Sequence, residues 1–342
     1  MAEKNKNVGQ ILSASKIKTF EDCSWTYWAK YHLKLPDQAN EGSARGSICH
    51  LIFELLMKDR HRKYYDAILK DHSIENCPAI IRLINKHLNN YNFNTKDNYE
   101  LIDKMIYVGL NNDFFEEGGK LGEAEVGFMI ENKRLKYKIR GFIDKHAFHG
   151  DTLIITDYKS SKGKFKGDGL HANGQAMMYT LAGRKLKKGI KRIKVRFLFL
   201  RFPRAPIQEL EFTKDEISGF EHYLSYINEV VNNFSQQDAT SNYAADKAET
   251  KWFCAAGKTW VCPLRDSYDF YALYDENDKL LKTSKKDDLV AGDKQKVKKM
   301  TYLGCPRHHA NDASNVIVDY SEKAEAAKVE VNNKKDPFDF DV

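Results

Sequence analysis

The chain has 342 residues, 42% hydrophobic and 12% aromatic, which is enough for one large domain or two ordinary ones and argues against wholesale disorder. Lys and Arg total 55 against 48 Asp and Glu, a mild excess of +7. No apolar run reaches the roughly 18 residues of a membrane span. The opening MAEKNKNVGQ has no signal-type apolar stretch, and six scattered cysteines exclude a disulfide scaffold. A cytoplasmic protein is expected, with cysteines serving as buried thiols or metal ligands.

Residues 13–33 are predicted as one helix, capped by Ser13 or Ser15 and carrying Ile17, Phe20, Trp25, Tyr27 and Trp28 on its apolar side. After the break at Pro36 to Gly42, a second helix is predicted over 44–58, with Ile48, Leu51, Ile52, Leu55 and Leu56 at helical spacing. Residues 60–118 read as helical pieces interrupted at Pro78 and at NNYNFNTKDN. The period then changes. Segments 123–131, 134–148 and 152–158, split by ENK and HGD turns, predict an antiparallel meander. A basic loop follows, then a helix over 171–186 and strands near 193–202 and 206–212. A last helix near 214–235 is opened by a Thr213–Glu216 capping box. Residues 238–310 are polar and irregular with strand-like fragments. From about 321 the composition turns to Ala, Lys, Glu and Asn and ends DPFDFDV, the signature of a disordered acidic–aromatic tail.

The segment IRGFIDKHAFHGDTLIITDYK (139–159) concentrates the chemistry. Asp157 and Lys159 alternate on one strand and so point to one face. A hairpin at His149–Asp151 would bring Asp144 alongside. Ionised groups are costly to bury unless paired or metal-bound. Two carboxylates therefore suggest an oxygen-ligand site for Mg²⁺ or Mn²⁺, and a lysine beside it could offset charge at a phosphorus centre. A D-x-K triplet on a strand is also a common exposed salt bridge, and the spacing alone leaves both readings open. Basic residues crowd the stretch from Lys159 to Arg204, among them Lys162, Lys164 and Lys166. They suit a polyanion, or simply a solvated surface.

Five separated pieces resemble, in order, the RecB-like branch of the PD-(D/E)XK nuclease superfamily. They are the opening helix SASKIKTFEDCSWTY (13–27), the segment Arg45-Gly-Ser-Ile-Cys-His50, Gly141-Phe-Ile-Asp144, Ile155-Thr-Asp157-Tyr-Lys159, and Gln175-Ala-Met-Met-Tyr179. The branch includes nuclease domains of recombination helicase–nucleases, CRISPR adaptation nucleases and phage exonucleases. The resemblance implies an α/β, restriction-endonuclease-like core: a central mixed β-sheet flanked by helices, with an N-terminal helical region. It implies a helical region over 1–118 carrying His50, a nuclease core over 119–236, a Cys- and aromatic-containing region over 237–320 and a tail over 321–342. It assigns Asp144, Asp157, His50 and the Tyr158 carbonyl as ligands of Mg²⁺ or Mn²⁺, with Glu125 as support. Lys159 would be the catalytic lysine. Gln175 would position the attacking water or the scissile phosphate, Tyr179 would support that helix face, and Arg45, Lys162, Lys164 and Lys166 would contact DNA.

Relatives in this branch often carry a [4Fe–4S] cluster on one cysteine near the opening helix and three near the C-terminus. Cys23 sits at the first position, and Cys254, Cys262 and Cys305 form the later set. Their intervals of eight and 43 residues are looser than the compact pattern. Zinc on Cys254, Cys262, Cys305 and His308 or His309 is an alternative, as are plain thiols. Cys49 and Cys77 read as buried helix residues. Trp252, Phe253, Trp260, Tyr268, Phe270 and Tyr271 interleave with basic residues, either to stack bases or as a small apolar cluster. The expected function is a metal-dependent DNA exonuclease of recombination, repair or replication, possibly encoded by a phage. The alternatives are an inactive nuclease-fold DNA adaptor and a CRISPR prespacer-processing nuclease. The tail could dock on a replication or recombination protein. The chain has no G-x-x-x-x-G-K-[ST] loop, so no ATP hydrolysis is expected.

Overall fold

A computed structural model describes residues 11–37, 40–186, 189–254, 261–310 and 312–319. The expected tail and Trp260 lie outside the described residues. In chain order the helical first part comprises α1 (Ala14–Asp22), α2 (Ser24–Tyr31), α3 (Glu41–Leu56), α4 (Arg62–Asp71), α5 (Pro78–Tyr91) and α6 (Lys96–Leu110). Strands β1 (Lys120–Leu121), β2 (Val126–Asn132), β3 (Tyr137–Ile143), β4 (Lys145–His149) and β5 (Thr152–Lys159) follow. Next come α7 (Asp168–His171), α8 (Gly174–Leu186), β6 (Arg192–Phe199), β7 (Ile207–Leu210) and α9 (Lys214–Asn232). The chain continues with α10 (Gln236–Ala239), β8 (Tyr268–Tyr274), β9 (Leu280–Ser284), β10 (Lys296–Tyr302) and β11 (Ile317–Asp319). Two compact units result: Met1–Ala14 with Ala39–Asn232, and Ser15–Gln38 with Asn233–Val342.

The first unit is built on a five-stranded sheet of order β1-β4-β5-β6-β7. Its β5–β6 pair is parallel and the other pairs are antiparallel. A parallel neighbour needs a crossover, and α7 and α8 supply it. This is the expected α/β architecture, a mixed central sheet flanked by helices. The β4–β5 hairpin turns at Gly150, whose φ of +63° suits glycine, and His149 pairs with Thr152. The segment predicted as one strand over 134–148 is instead two. β3 pairs with β2 in a separate two-stranded sheet, and the chain changes sheets at Asp144 to enter β4.

Helix α3 lies over the sheet because its apolar side is buried. Ile48, Ile52, Phe53 and Leu56 join Ile102, Met105 and Ile106 of α6 and Tyr158 and Leu198 of the sheet in one core. Each such side chain contributes about 1.5–3 kcal/mol on full burial. The helix begins earlier than predicted. The Asn40 side chain accepts from the Ser43 amide at 2.9 Å in a capping box. The Thr213–Glu216 box at the start of α9 forms as expected, with the Thr213 amide donating to Glu216 at 2.7 Å.

The second unit corrects two expectations. The predicted helix over 13–33 breaks at Cys23, whose backbone is extended (φ −160°, ψ 115°). The hydroxyl of Ser24, next to the break, reaches the carbonyls of Asn242 and Ala239 at 2.8 and 2.9 Å. The region read as irregular carries an antiparallel four-stranded sheet of order β11-β10-β8-β9. Its buried Phe270, Ala272, Met300 and Tyr302 pack with Cys23, Trp25 and Ala29. The Trp25 indole donates to the Tyr302 hydroxyl at 2.9 Å, which donates to the Leu264 carbonyl at 3.0 Å.

Candidate active site

The first unit gathers its polar groups where β5 ends. Asp157 is 3% exposed, and its register partner on the neighbouring strand is the buried Phe197. A carboxylate cannot remain there without partners. Its Oδ1 accepts from Gln175 Nε2 at 2.8 Å and from the Tyr179 hydroxyl at 2.7 Å, both from α8. Its Oδ2 lies 2.8 Å from Lys159 Nζ in an ion pair but receives no well-aligned hydrogen bond among the described residues. That oxygen keeps lone-pair capacity for a cation.

Gln175 ties the group together. Its Oε1 accepts from Lys159 Nζ at 2.7 Å, so both ends of the amide are committed and its orientation is fixed. The Gln175–Tyr179 spacing of four residues puts both on one face of α8, and the two side chains meet at 2.9 Å. Burial, with the charges of Asp157 and Asp144, raises the Tyr179 hydroxyl well above the ordinary tyrosine range, so it stays a proton donor.

Asp144 sits at the bend between β3 and β4, and its Oδ2 accepts from the Tyr158 amide at 2.9 Å. Burial first, and then the nearby Asp157 charge, raise its carboxyl, while His50 and the Tyr158 amide oppose them. His50 reaches in from α3. Its Nδ1 is 3.3 Å from Asp144 Oδ1 and 3.9 Å from Glu125 Oε1, and its Nε2 is 3.0 Å from the Tyr158 carbonyl oxygen. Burial alone would lower its pKa. Hydrogen bonding to Asp144 and Glu125, and the charges of Asp144 and Asp157, outweigh burial and push it up to about 10. The ring is therefore an imidazolium with acceptors at both nitrogens. Gly46, one turn before His50, permits this approach: a Cβ there would lie 2.8 Å from Ser160 Oγ, beyond the end of β5.

His50, Glu125 and Asp144 each place one ligand atom within 4.8 Å of the others, the only such group of His, Cys, Asp and Glu among the described residues. Carboxylate oxygens, a carbonyl oxygen and one imidazole form a donor set suited to a hard divalent ion. Glu125 comes just before β2 with a left-handed backbone (φ +52°), and its amide donates to the Asp144 carbonyl at 3.2 Å.

The remaining DNA candidates separate. Lys162 and Lys166 are exposed on the loop after β5. Lys164 bonds the Ala205 carbonyl and lies over the Phe202 ring at 5.1 Å. Arg45 does not face an open surface. It is 9% exposed, and its guanidinium binds Asn98 on α6 and, at 3.2 Å, Glu41 on its own helix. Its bond to Asn98 ties α3 to α6.

Sequence reasoning missed a buried ion cluster on the other side of β4. Glu116 and Lys145 are each 1% exposed and 2.7 Å apart, with Arg196 3.2 Å from the same carboxylate. Lys145 follows Asp144 directly, so alternation alone could have flagged a second, inward-facing charge.

The sequence model of the PD-(D/E)XK nuclease superfamily matches residues 11–266. The chain belongs to this superfamily. No curated protein matches it. Among solved structures it is similar to a presumed exonuclease from Eubacterium rectale, 13% identical, covering 76% of this chain and 96% of that one with a TM-score of 0.46. It is also similar to SSO0001, 16% identical, covering 63% of this chain and 86% of that one with a TM-score of 0.23. As a nuclease of this superfamily the chain has a hydrolytic, divalent-metal chemistry to place, and His50, Glu125 and Asp144 offer a metal-binding group. Among the described residues no helix is long and apolar enough to cross a membrane.

The second unit brings the four candidate cysteines to one place. Cys23, Cys254, Cys262 and Cys305 line one small cavity, with His308 also at its wall. All are free thiols. Burial pushes Cys262 up to about 11 and Cys305 up to about 12, and each is raised further by neighbouring thiols of the set. No three of their sulfurs lie within 4.8 Å of one another. Zn–S bonds of about 2.3 Å in a tetrahedron need sulfurs only about 3.8 Å apart. Cys49 and Cys77 are buried, as expected of core residues.

Proposed function

We propose that this chain is an Mg²⁺- or Mn²⁺-dependent DNA exonuclease acting in recombination, repair or replication. The observation that supports it most is the convergence of Asp144, Asp157, Lys159, Gln175 and His50 at the end of β5, with one Asp157 oxygen still open to a cation. The exonuclease reading leans on the resemblance to the RecB-like branch.

Asp144, Asp157, His50 and the Tyr158 carbonyl would hold the metal, with Glu125 beside them. The bound ion supplies positive charge that polarises a phosphoryl oxygen. Lys159 is held between Asp157, its ion-pair partner, and Gln175, to whose Oε1 it donates one N–H. A free N–H can meet a phosphate oxygen or orient the attacking water. Gln175 and Tyr179 hold Asp157 Oδ1, which leaves Oδ2 facing the reaction side. Lys162 and Lys166 would neutralise phosphates of the bound strand. Because an imidazole joins the oxygen donors, Mn²⁺ should support activity better than Mg²⁺.

Linear single- and double-stranded DNA incubated with each metal tests the proposal, with circular DNA to separate end-dependent from internal cutting. Wild type should degrade linear DNA and spare circles. Asp157→Ala and Lys159→Ala should each lose about 100-fold or more. Equal cutting by the variants would remove the catalytic assignment.

We further propose that Cys23, Cys254, Cys262 and Cys305 hold a [4Fe–4S] cluster, supported by their convergence on one cavity. Protein purified without oxygen should show the iron–sulfur charge-transfer absorbance and contain acid-labile sulfide. Cys305→Ser should lack both. Stoichiometric zinc without sulfide would replace the cluster by a zinc site.

A further inference from the structure

The β2–β3 hairpin presents an outer face that is strongly exposed beside the proposed site. Its inner side is closed: Ile130, Ile139 and Ile143 are buried. On the outer face Met129 is 62% exposed and Phe142 is 63% exposed. Single exposed apolar residues need no explanation. These two are not single. Phe142 pairs with Gly127 and Met129 with Arg140, so Met129 and Phe142 are diagonal neighbours within mutual reach. Gly127 offers no side chain to cover the ring, which leans over its backbone with Cε1 3.3 Å from where a Cβ would stand.

The charges on this face are unequal. Glu131 and Lys138 neutralise each other at 3.2 Å. Arg140 is exposed, with no ion-pair partner among the described residues. The face therefore offers an aromatic ring, a flexible thioether and one uncompensated cation. It is continuous with the site. Phe142 comes two residues before Asp144 on the same chain, and Gly127 two residues after Glu125. The ladder reaches that pair through the Glu125 amide and the Asp144 carbonyl. Two strand residues span about 7 Å.

We infer that Phe142, backed by Met129, is a stacking platform for an unpaired base of the DNA strand whose neighbouring phosphate enters the Asp144–Asp157–Lys159 site, with Arg140 on an adjacent phosphate. Aromatic faces attract any base because every base has a π-face. In a duplex both faces of each base are already covered, so the ring can engage only a single strand or a frayed end. The substrate class is thus single-stranded DNA. This inference rests on the nuclease reading and narrows it.

Binding is measured in EDTA, so that no turnover is involved, with single-stranded oligonucleotides carrying 2-aminopurine and with the matching blunt duplex. Phe142→Ala should weaken single-strand binding about 5- to 100-fold and abolish the 2-aminopurine quenching, while duplex affinity stays within about twofold. Phe142→Trp should restore both single-strand signals. Arg140→Ala should weaken single strand and duplex together and lower the salt dependence. Phe142 is a surface residue, so an unchanged melting temperature checks the fold of each variant. The inference is overturned if Phe142→Ala binds single strands like wild type, if it weakens both DNA forms equally without rescue by Trp, or if its only effect is loss of self-association in sedimentation. Wild type that cuts no DNA with Mg²⁺ or Mn²⁺ refutes the nuclease reading. Wild type that cuts single strands no faster than Phe142→Ala does refutes the platform alone.

Discussion

Glu116→Gln should be the most damaging isosteric change near the site, although Glu116 touches no proposed ligand. Its carboxylate lies 2.7 Å from Lys145 Nζ, 3.2 Å from Arg196 Nη1 and 3.4 Å from His149 Nε2, in surroundings where both Glu116 and Lys145 are 1% exposed. Glutamine keeps the shape and removes the anion shared by the two cations. Stripping one partner from a buried ion pair costs about 3–5 kcal/mol. Lys145→Met is the milder change. It removes a cation whose other contacts are the carbonyls of Asp113 and Phe114 at 3.3 and 3.1 Å, and Glu116 keeps Arg196. About 1–2 kcal/mol is expected there. For a unit of about 200 residues each kcal/mol shifts the melting temperature by roughly 2–4 °C. Calorimetry should therefore show a drop of about 6–20 °C for Glu116→Gln and about 2–8 °C for Lys145→Met on that scale. The double variant should lose less than the sum, because the stranded ammonium is gone. Burial already lowers the Lys145 pKa, against the pull of Glu116. Without Glu116 the ammonium penalty is complete below the folded pKa and shrinks as pH rises toward the unfolded value, so the gap to wild type should narrow in alkali. A larger loss for Lys145→Met, or strict additivity, would refute this account.

Other outcomes follow from single contacts. Gly109→Ala would place a Cβ 2.2 Å from the Phe53 ring, which is itself held against Tyr158 at 4.3 Å. A loss of about 1–3 kcal/mol in chemical denaturation is expected, partly recovered by Phe53→Leu. Tyr179→Phe removes one donor from Asp157 Oδ1 and leaves Gln175. The metal concentration for half-maximal cleavage should rise about 10- to 100-fold, with the rate at saturation nearly kept. In metal-free protein the stability from His50, whose pKa is raised from 6.5 to about 10, is complete below pH 6.5 and is lost as pH rises to 10. Melting curves in EDTA should fall across that window for wild type, and His50→Gln should lack this slope. Calorimetric titration with Mn²⁺ in buffers of different ionisation heat should show one ion bound with release of about one proton. A second ion should bind only when DNA is present.

The parts legible in the sequence are those governed by local period. Alternation on β5 put Asp157 and Lys159 on one face, and the turn at Gly150 fixed the pairing that carries Asp144 toward Asp157. The four-residue step from Gln175 to Tyr179 likewise sufficed to put them on one side of α8. His50 is different. It meets Tyr158 across 108 positions of sequence, and no helical pattern says which strand a helix covers. Only the resemblance pointed there. The second sheet was hidden because its strands are rich in lysine, as in LLKTS and KVKKMTY. One solvated face of an antiparallel sheet can be that polar, and the apolar signal is left to alternate residues such as Phe270 and Ala272. The break at Cys23 was equally illegible, since the groups that engage the neighbouring Ser24 come from Ala239 and Asn242.

The charges explain why the site should take one resident cation and not two. Glu125, Asp144 and Asp157 face Lys159 and the His50 imidazolium, so three negative groups meet two positive ones. The imidazolium already donates toward the Asp144 carboxylate and the Tyr158 carbonyl, the same oxygens assigned to the metal. A divalent ion taking those oxygens must displace the His50 proton. The exchange replaces one positive charge by two and leaves the set neutral with Lys159. A second divalent ion would then enter with no anion to meet it, in surroundings where Asp157 is buried and stray charge is costly. On the proposed reading the phosphates of a bound strand would supply that anion. Metal occupancy would then be coupled to substrate: the carboxylates and His50 would set the first ion, and DNA itself would complete the site for any further one.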